Sequence, residues 1–287
     1  METLTTKQKI FNFPLTKIIL SLIVCLAFVN IGQALFGKLL LQTPLDKDFR
    51  NLIKGIIVSA LALGSYILFF KYYEKRDVTE FSLNRIARNL IIGTLIGAVL
   101  QSLTILVIYL AGGYTILAVN PVSFIIIPLT LSFTAAIIEE ILVRGILFRI
   151  MEEKLGSYIA LIISALIFGL MHLANENSTL LSCLSVAIEA GLLLGAAFIY
   201  SRNLWFPIAL HFAWNFMQSG IYGAITSGNA KTNSLIEAKF EGLELITGGE
   251  FGPEGSIQAI VFCSIATTVL LILSHRENKI VLPYWKK

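Results

Sequence analysis

Long apolar runs decide what this chain can fold into. Eight of them, about Leu15–Leu40, Leu52–Tyr72, Leu90–Ala111, Val122–Ile150, Ser157–Leu173, Leu180–Tyr200, Leu204–Ile225 and Ile257–Ser274, are divided by charged, proline or glycine-rich connections. A helix crosses the hydrocarbon of a bilayer with about 20 mostly apolar residues, range roughly 17–25. The expected fold class is therefore all-α, a multi-pass transmembrane helical bundle of about eight spans. Charge agrees with this. Only 14% of the 287 residues are charged and 56% are hydrophobic, against about 25% and 45–50% in a soluble domain. Too few charges exist to coat a soluble surface, so lipid is the main solvent. The net charge of +4 is spread between apolar runs, which argues against a nucleic-acid partner, since that needs a basic stripe on a folded face.

The same punctuation organises the chain. Residues 1–115 read as N-terminal transmembrane helices, 122–222 as a core unit, 226–256 as one long loop rich in Gly, Asn and Glu, and 257–287 as a last helix with a tail. The first run exceeds the core of a signal peptide, about 7–15 residues, and reads as a retained helix. Glu2 gives no myristoylation start, and the tail Tyr284-Trp285-Lys286-Lys287 gives no prenylation box. Cys25, Cys183 and Cys263 lie inside apolar runs and read as packing residues. Lys and Arg set the orientation. With eight spans, Lys7, Lys9, Lys17, the Lys71–Arg88 connection, Arg149, Lys154, Arg202, Arg276, Lys279, Lys286 and Lys287 all fall on one side. Both termini are expected in the cytoplasm of a cell membrane, with the long loop outside, although Lys38, Lys47 and Arg50 oppose the trend.

Ionisable groups inside the runs carry the functional signal. The fourth run holds Glu139, Glu140 and Arg144. A charge at a helix centre costs about 2.5–3.5 kcal/mol on insertion scales, so three are tolerable only if they face the bundle interior and pair. Glu140 and Arg144, at i and i+4, share a helix face and are expected to pair. Glu139 then keeps a tunable carboxylate, as a general base requires. His172 ends the fifth run with Phe168 one turn before it, and His211 lies in the seventh with Asn215 one turn after it. Glu189 reads as a structural acid of the sixth run, Gly191 and Gly195 as a close-packing G-x-x-x-G, and Asn30 and Gln33 as interhelical hydrogen-bond partners. The set suits peptide hydrolysis, with a Glu to deprotonate water and His and Asn groups to donate to an oxyanion. Glu139, His172 and His211 equally supply a His₂Glu zinc site, and the residues alone leave both chemistries open.

Three motifs carry a resemblance. Glu139-Glu140-Ile141-Leu142-Val143-Arg144, Phe168-Gly169-Leu170-Met171-His172 and His211-Phe212-Ala213-Trp214-Asn215 closely resemble the E-E-x-x-x-R, F-x-x-x-H and H-x-x-x-N/D motifs of the type II CAAX prenyl endopeptidase and bacteriocin-processing family, also called Abi or CPBP intramembrane proteases. The likeness covers residues 122–222 and extends through Gly248-Gly249-Glu250-Phe251-Gly252-Pro253-Glu254-Gly255. It implies an endopeptidase acting on a membrane-associated peptide or protein. Glu139 would activate water, His172, His211 and Asn215 would support the reaction, and Glu140, Arg144 and Phe168 would hold the site. It favours a glutamate mechanism with no cofactor, with zinc as the alternative. A non-catalytic peptide-binding or immunity protein, and a proton-coupled transporter, are the competing expectations.

Overall fold

The computed structural model describes residues 5–286. Glu2 and Lys287 lie outside them, as do the side chains at positions 6–8, Lys7 among them. All eight apolar runs are helical. They form α1 (Pro14–Leu40), α2 (Lys47–Tyr72), α3 (Ile86–Leu110), the 53-residue run Val122–Ala174 that supplies α4 (122–155) and α5 (157–174), α6 (Leu180–Ser201), α7 (Trp205–Asn215, continued by Phe216–Ile221) and α8 (Ile257–Arg276). Among the described residues six helices are long and apolar enough to cross a membrane. The difference from eight has two sources. Gly156, at φ 77, bends the long run into α4 and α5 without ending it, and α7 is short. Apolar side chains cover the outside of the bundle, with Ile23 on α1 58% exposed and Leu95 on α3 57% exposed. A surface of this kind belongs in lipid, and the chain is a multi-pass membrane protein.

Local signals set the helix starts. The Asp46 carboxylate accepts from the backbone N–H of Asp48 and Phe49 at 2.9 and 3.0 Å, capping α2. Thr179 and Ser182 form a capping box at the start of α6, and Ser256 caps α8. Gly156 sits so close to the tail that an added Cβ would stand 2.7 Å from Pro283 N. The connection after α3 contains β1 (Tyr114–Val119), which pairs antiparallel with β2 (Ile236–Phe240) from the long loop. Asn30 bonds to Leu26 O of its own helix at 2.8 Å. Its expected interhelical role is therefore corrected: the amide satisfies itself locally on an exposed face.

Small residues bring the helices together. Gly191 and Gly195 of α6 pack against Ala165 and Leu161 of α5, as the G-x-x-x-G spacing implies. A second such pair, Gly93 and Gly97, presses α3 onto α7. At the end of the bundle where the termini lie, Glu74 binds Lys17, Arg76 and Arg149 at 2.9, 2.9 and 3.0 Å, tying α1, α2 and α4 together. Burial pushes the Glu74 carboxyl up, but the surrounding cations, Arg149 foremost, hold it below the usual carboxylate range.

A Cβ at position 97 would stand 2.3 Å from Leu210 O, whereas one at Gly64 meets nothing within 4 Å. Gly97→Leu is expected to lower stability by about 1–3 kcal/mol, read as the midpoint of thermal unfolding in detergent, while Gly64→Leu leaves the midpoint unchanged.

Candidate active site

The three sequence motifs meet in one place. Glu139 and Glu140 end the α-helical part of α4, which continues as π turns over Ile141–Phe148. Both Glu140 and Arg144 are fully buried, and Arg144 Nη1 donates to Glu140 Oε1 at 2.7 Å. Arg144 Nη2 donates to Ala190 O and Gly191 O of α6 at 3.2 and 3.0 Å. Its guanidinium lies 4.5 Å over the Phe168 ring of α5. Further hydrogen bonds help to sustain a buried ion pair, and several here come from neighbouring helices, while Glu140 Oε2 and Arg144 Nε have no partner among the described residues. Glu140 Oε1 also lies 3.1 Å from His211 Nδ1 on α7. The carboxylate accepts, so Nδ1 carries the proton and donates.

Glu139 stands apart from this network. Its Oε2 is 3.9 Å from His211 Nε2 and has no hydrogen-bond partner among the described residues. The side chain is 28% exposed, and it opens onto a cleft of about 560 Å³ also lined by Ser132, His172, Asn215 and Ser219. His172 Nδ1 lies 2.8 Å from Phe168 O and donates to it, so Nε2 is the nitrogen available to the cleft. The Phe168 ring meets both imidazoles edge-on, at 4.9 Å from His172 and 6.1 Å from His211. The structure thus gathers Glu139, His172, His211 and Asn215, with Glu140, Arg144 and Phe168 packed behind them.

Further residues join the site that the motifs did not single out. Glu254 accepts from Ser227 N and Oγ at 2.5 and 2.7 Å and from Trp214 Nε1 at 3.3 Å. Asn175 Nδ2 donates to Ser227 O at 2.6 Å. These bonds pin residues 224–232 along the rim of the cleft. Burial raises the Glu254 carboxyl above its usual range, against the pull of its Ser227 bonds. Glu189, fully buried and without a hydrogen-bond partner among the described residues, borders a void of about 20 Å³ shared with His172, His211 and Asn215, large enough for one water. Trp214 sits inside the third motif and Glu254 inside the glycine-rich loop, but a separation of forty residues hides their contact from the sequence. Among the described residues no three His, Cys, Asp or Glu side chains converge as a ligand set for a metal ion.

Arg144→Met strands the Glu140 carboxylate in the core. Breaking a buried pair on one side costs about 3–5 kcal/mol, and the expected outcome is a matching fall in the thermal midpoint, only partly recovered by Arg144→Lys, which cannot reach α6 with a fork.

Comparison with known proteins falls on the same residues. Residues 121–217 match the family model for type II CAAX prenyl endopeptidase Rce1-like proteins. Over 122 residues, 42% of the chain, the sequence is 27% identical to the "Putative membrane peptidase YdiL" of Bacillus subtilis (strain 168). That stretch spans 44% of the relative's length, less than half of it. No solved structure gives a significant match. The three motifs stand in order around one cleft, and the region that carries them, residues 121–217, is similar to the type II CAAX prenyl endopeptidase Rce1-like proteins.

Proposed function

We propose that the protein is an intramembrane endopeptidase that hydrolyses a peptide bond of a membrane-associated protein or peptide. The observation that carries this reading is the setting of Glu139: a carboxylate oxygen left without a hydrogen-bond partner, 3.9 Å from an imidazole nitrogen, on the wall of a cleft that also holds His172 and Asn215. Glu139 takes a proton from a water in the cleft, and the hydroxide attacks the substrate carbonyl carbon. The tetrahedral oxyanion that forms needs donors aimed at it. The Asn215 amide donates without any change of protonation. His172 and His211 have committed Nδ1–H to Phe168 O and to Glu140, so each donates from Nε2 only as the doubly protonated ring. Glu139 then passes its proton to the departing amine, and no bond to the protein forms. Glu140 and Arg144 fix where His211 points and do not touch substrate.

The Lys and Arg bias of the connections assigns the termini to the cytoplasm. The cleft mouth, bordered by residues 224–232, then faces the other side. The working partners are membrane lipid and a peptide segment reached from that side.

Glu139→Gln keeps size and removes the base. General-base catalysis contributes about 10²–10⁴-fold, so the variant is expected to fold normally and lose activity on that scale. The check is a comparison of peptide termini in membranes of cells making the intact protein or the variant at matched levels. Termini dependent on Glu139 support hydrolysis and name the substrate. An unchanged set of termini with a persisting phenotype sinks the enzyme reading and favours a peptide-binding or immunity role. Addition of a chelator separates the two chemistries: activity is expected to survive it, and loss restored by zinc would favour the Glu139, His172 and His211 metal site.

A further inference from the structure

A second large cavity lies away from the cleft, at the membrane face that carries the termini. It measures about 660 Å³ and opens between α3, α7 and α8, within the size range of small-molecule sites, about 300–1,000 Å³. Its walls are graded. At the membrane face stand Arg85 and Arg88, beside Asn84, Asn89 and Ser201. Deeper, Ile92 and Ile96 of α3 face Val269 and Leu273 of α8 across Phe206. At about 1.5 Å of rise per residue, Ile96 lies about 12 Å along α3 from Arg88, most of the way through one leaflet of a roughly 30 Å hydrocarbon core.

The cations of this groove divide into two kinds. Arg202 is held by Glu152 at 2.6 Å, and Lys279 by Glu277 at 2.6 Å and Tyr200 O at 2.5 Å. Arg85 and Arg88 form no side-chain hydrogen bond or ion pair among the described residues, and both are exposed. Arg85 is the residue that precedes α3, in the left-handed region at φ 61, and Arg88 lies in the first turn, so both guanidiniums stand at the same helix end. That end also presents the positive pole of a 25-residue helix. The one acid on the walls, Glu277, already has its partner in Lys279.

We propose that this groove binds an anionic phospholipid, with the phosphate on Arg85 and Arg88 and the upper acyl chains along Ile92, Ile96, Phe206 and Val269. Two guanidiniums at the interface above an apolar slot fit a phosphodiester carrying hydrocarbon, and basic pockets between helices are a recurrent way of holding such headgroups. A zwitterionic lipid offers the same chains but returns its own cation to the site, so charge sets the preference. The proposal stands apart from the peptidase reading and needs no residue of the cleft.

The test is native mass spectrometry of the full-length purified protein titrated with phosphatidylglycerol or phosphatidylcholine of identical chains. Two interfacial arginines are expected to favour phosphatidylglycerol by about 30-fold. Arg85→Gln with Arg88→Gln is expected to bring the two lipids to near parity, while Lys71→Gln with Lys75→Gln, on the same membrane face outside the groove, keeps the preference. Ile96→Trp, which fills the slot, is expected to weaken both lipids, with a thermal melt of each variant verifying its fold. Parity in the unaltered protein, a preference that survives loss of both arginines, or displacement of the lipid by excess inorganic phosphate alone overturns the proposal.

Discussion

The pair of Glu140 and Arg144 is the contact on which the site depends. Each member alone is an impossible tenant of a membrane interior. Together they still leave lone pairs and N–H groups, and several of these bond outward to other helices. Arg144 takes two carbonyls from α6 and stacks on Phe168 of α5, and Glu140 takes His211 of α7. Four helices are thereby keyed to one buried charge pair. Apolar packing alone is a weak organiser in lipid, where hydrocarbon solvates Leu as well as a neighbouring helix does. Polar bonds and close-set glycines supply the register that a soluble core takes from the hydrophobic effect.

The helices around the site are not regular. Widened π turns occur at Ile141–Phe148, Ala187–Leu192 and Phe216–Ile221. Each adjoins or contains residues of the site: Glu139, Glu140 and Arg144 for the first, Glu189 for the second, Asn215 for the third. Insertions of this kind gather at functional positions because they turn side chains away from the lattice of a plain α-helix. The Gly191 carbonyl that receives Arg144 belongs to the second of them, so a distorted turn in one helix supplies a bond to a charge on another.

Much of this was legible in the sequence, and the boundary has physical causes. Apolar runs give the helices because lipid removes the choice of solvent. The pairing of Glu140 with Arg144 is a local fact, four residues apart, and survives even though the segment winds as π turns where a plain α-helix was expected. The meeting of His172 with His211 was legible only as a pattern of motifs. The bonds from Glu254 to Ser227 and Trp214 were not legible, because they depend on how a long loop folds back over the bundle. β1 and β2 escaped for the same reason: Tyr114–Val119 reads as a link until its partner strand, more than a hundred residues later, lies beside it. Asn30 misled because a polar side chain in lipid can satisfy itself on its own helix.

The floor beneath Glu139 has a consequence for the cell. Glu140, Ile141, Val143, Arg144 and Phe148 are wholly buried, and Phe168 nearly so. They close the bundle on the side away from the rim loop. A chain of carboxylates and imidazoles that ran from one surface to the other would be a wire for protons, draining the electrochemical gradient across the membrane it sits in. In this floor the guanidinium is paired with Glu140 and covered by the Phe168 ring, and packed side chains stand where such a wire would have to run. A cleft open on one side above a floor packed this way is the arrangement in which a wet carboxylate and a proton-tight bilayer are compatible.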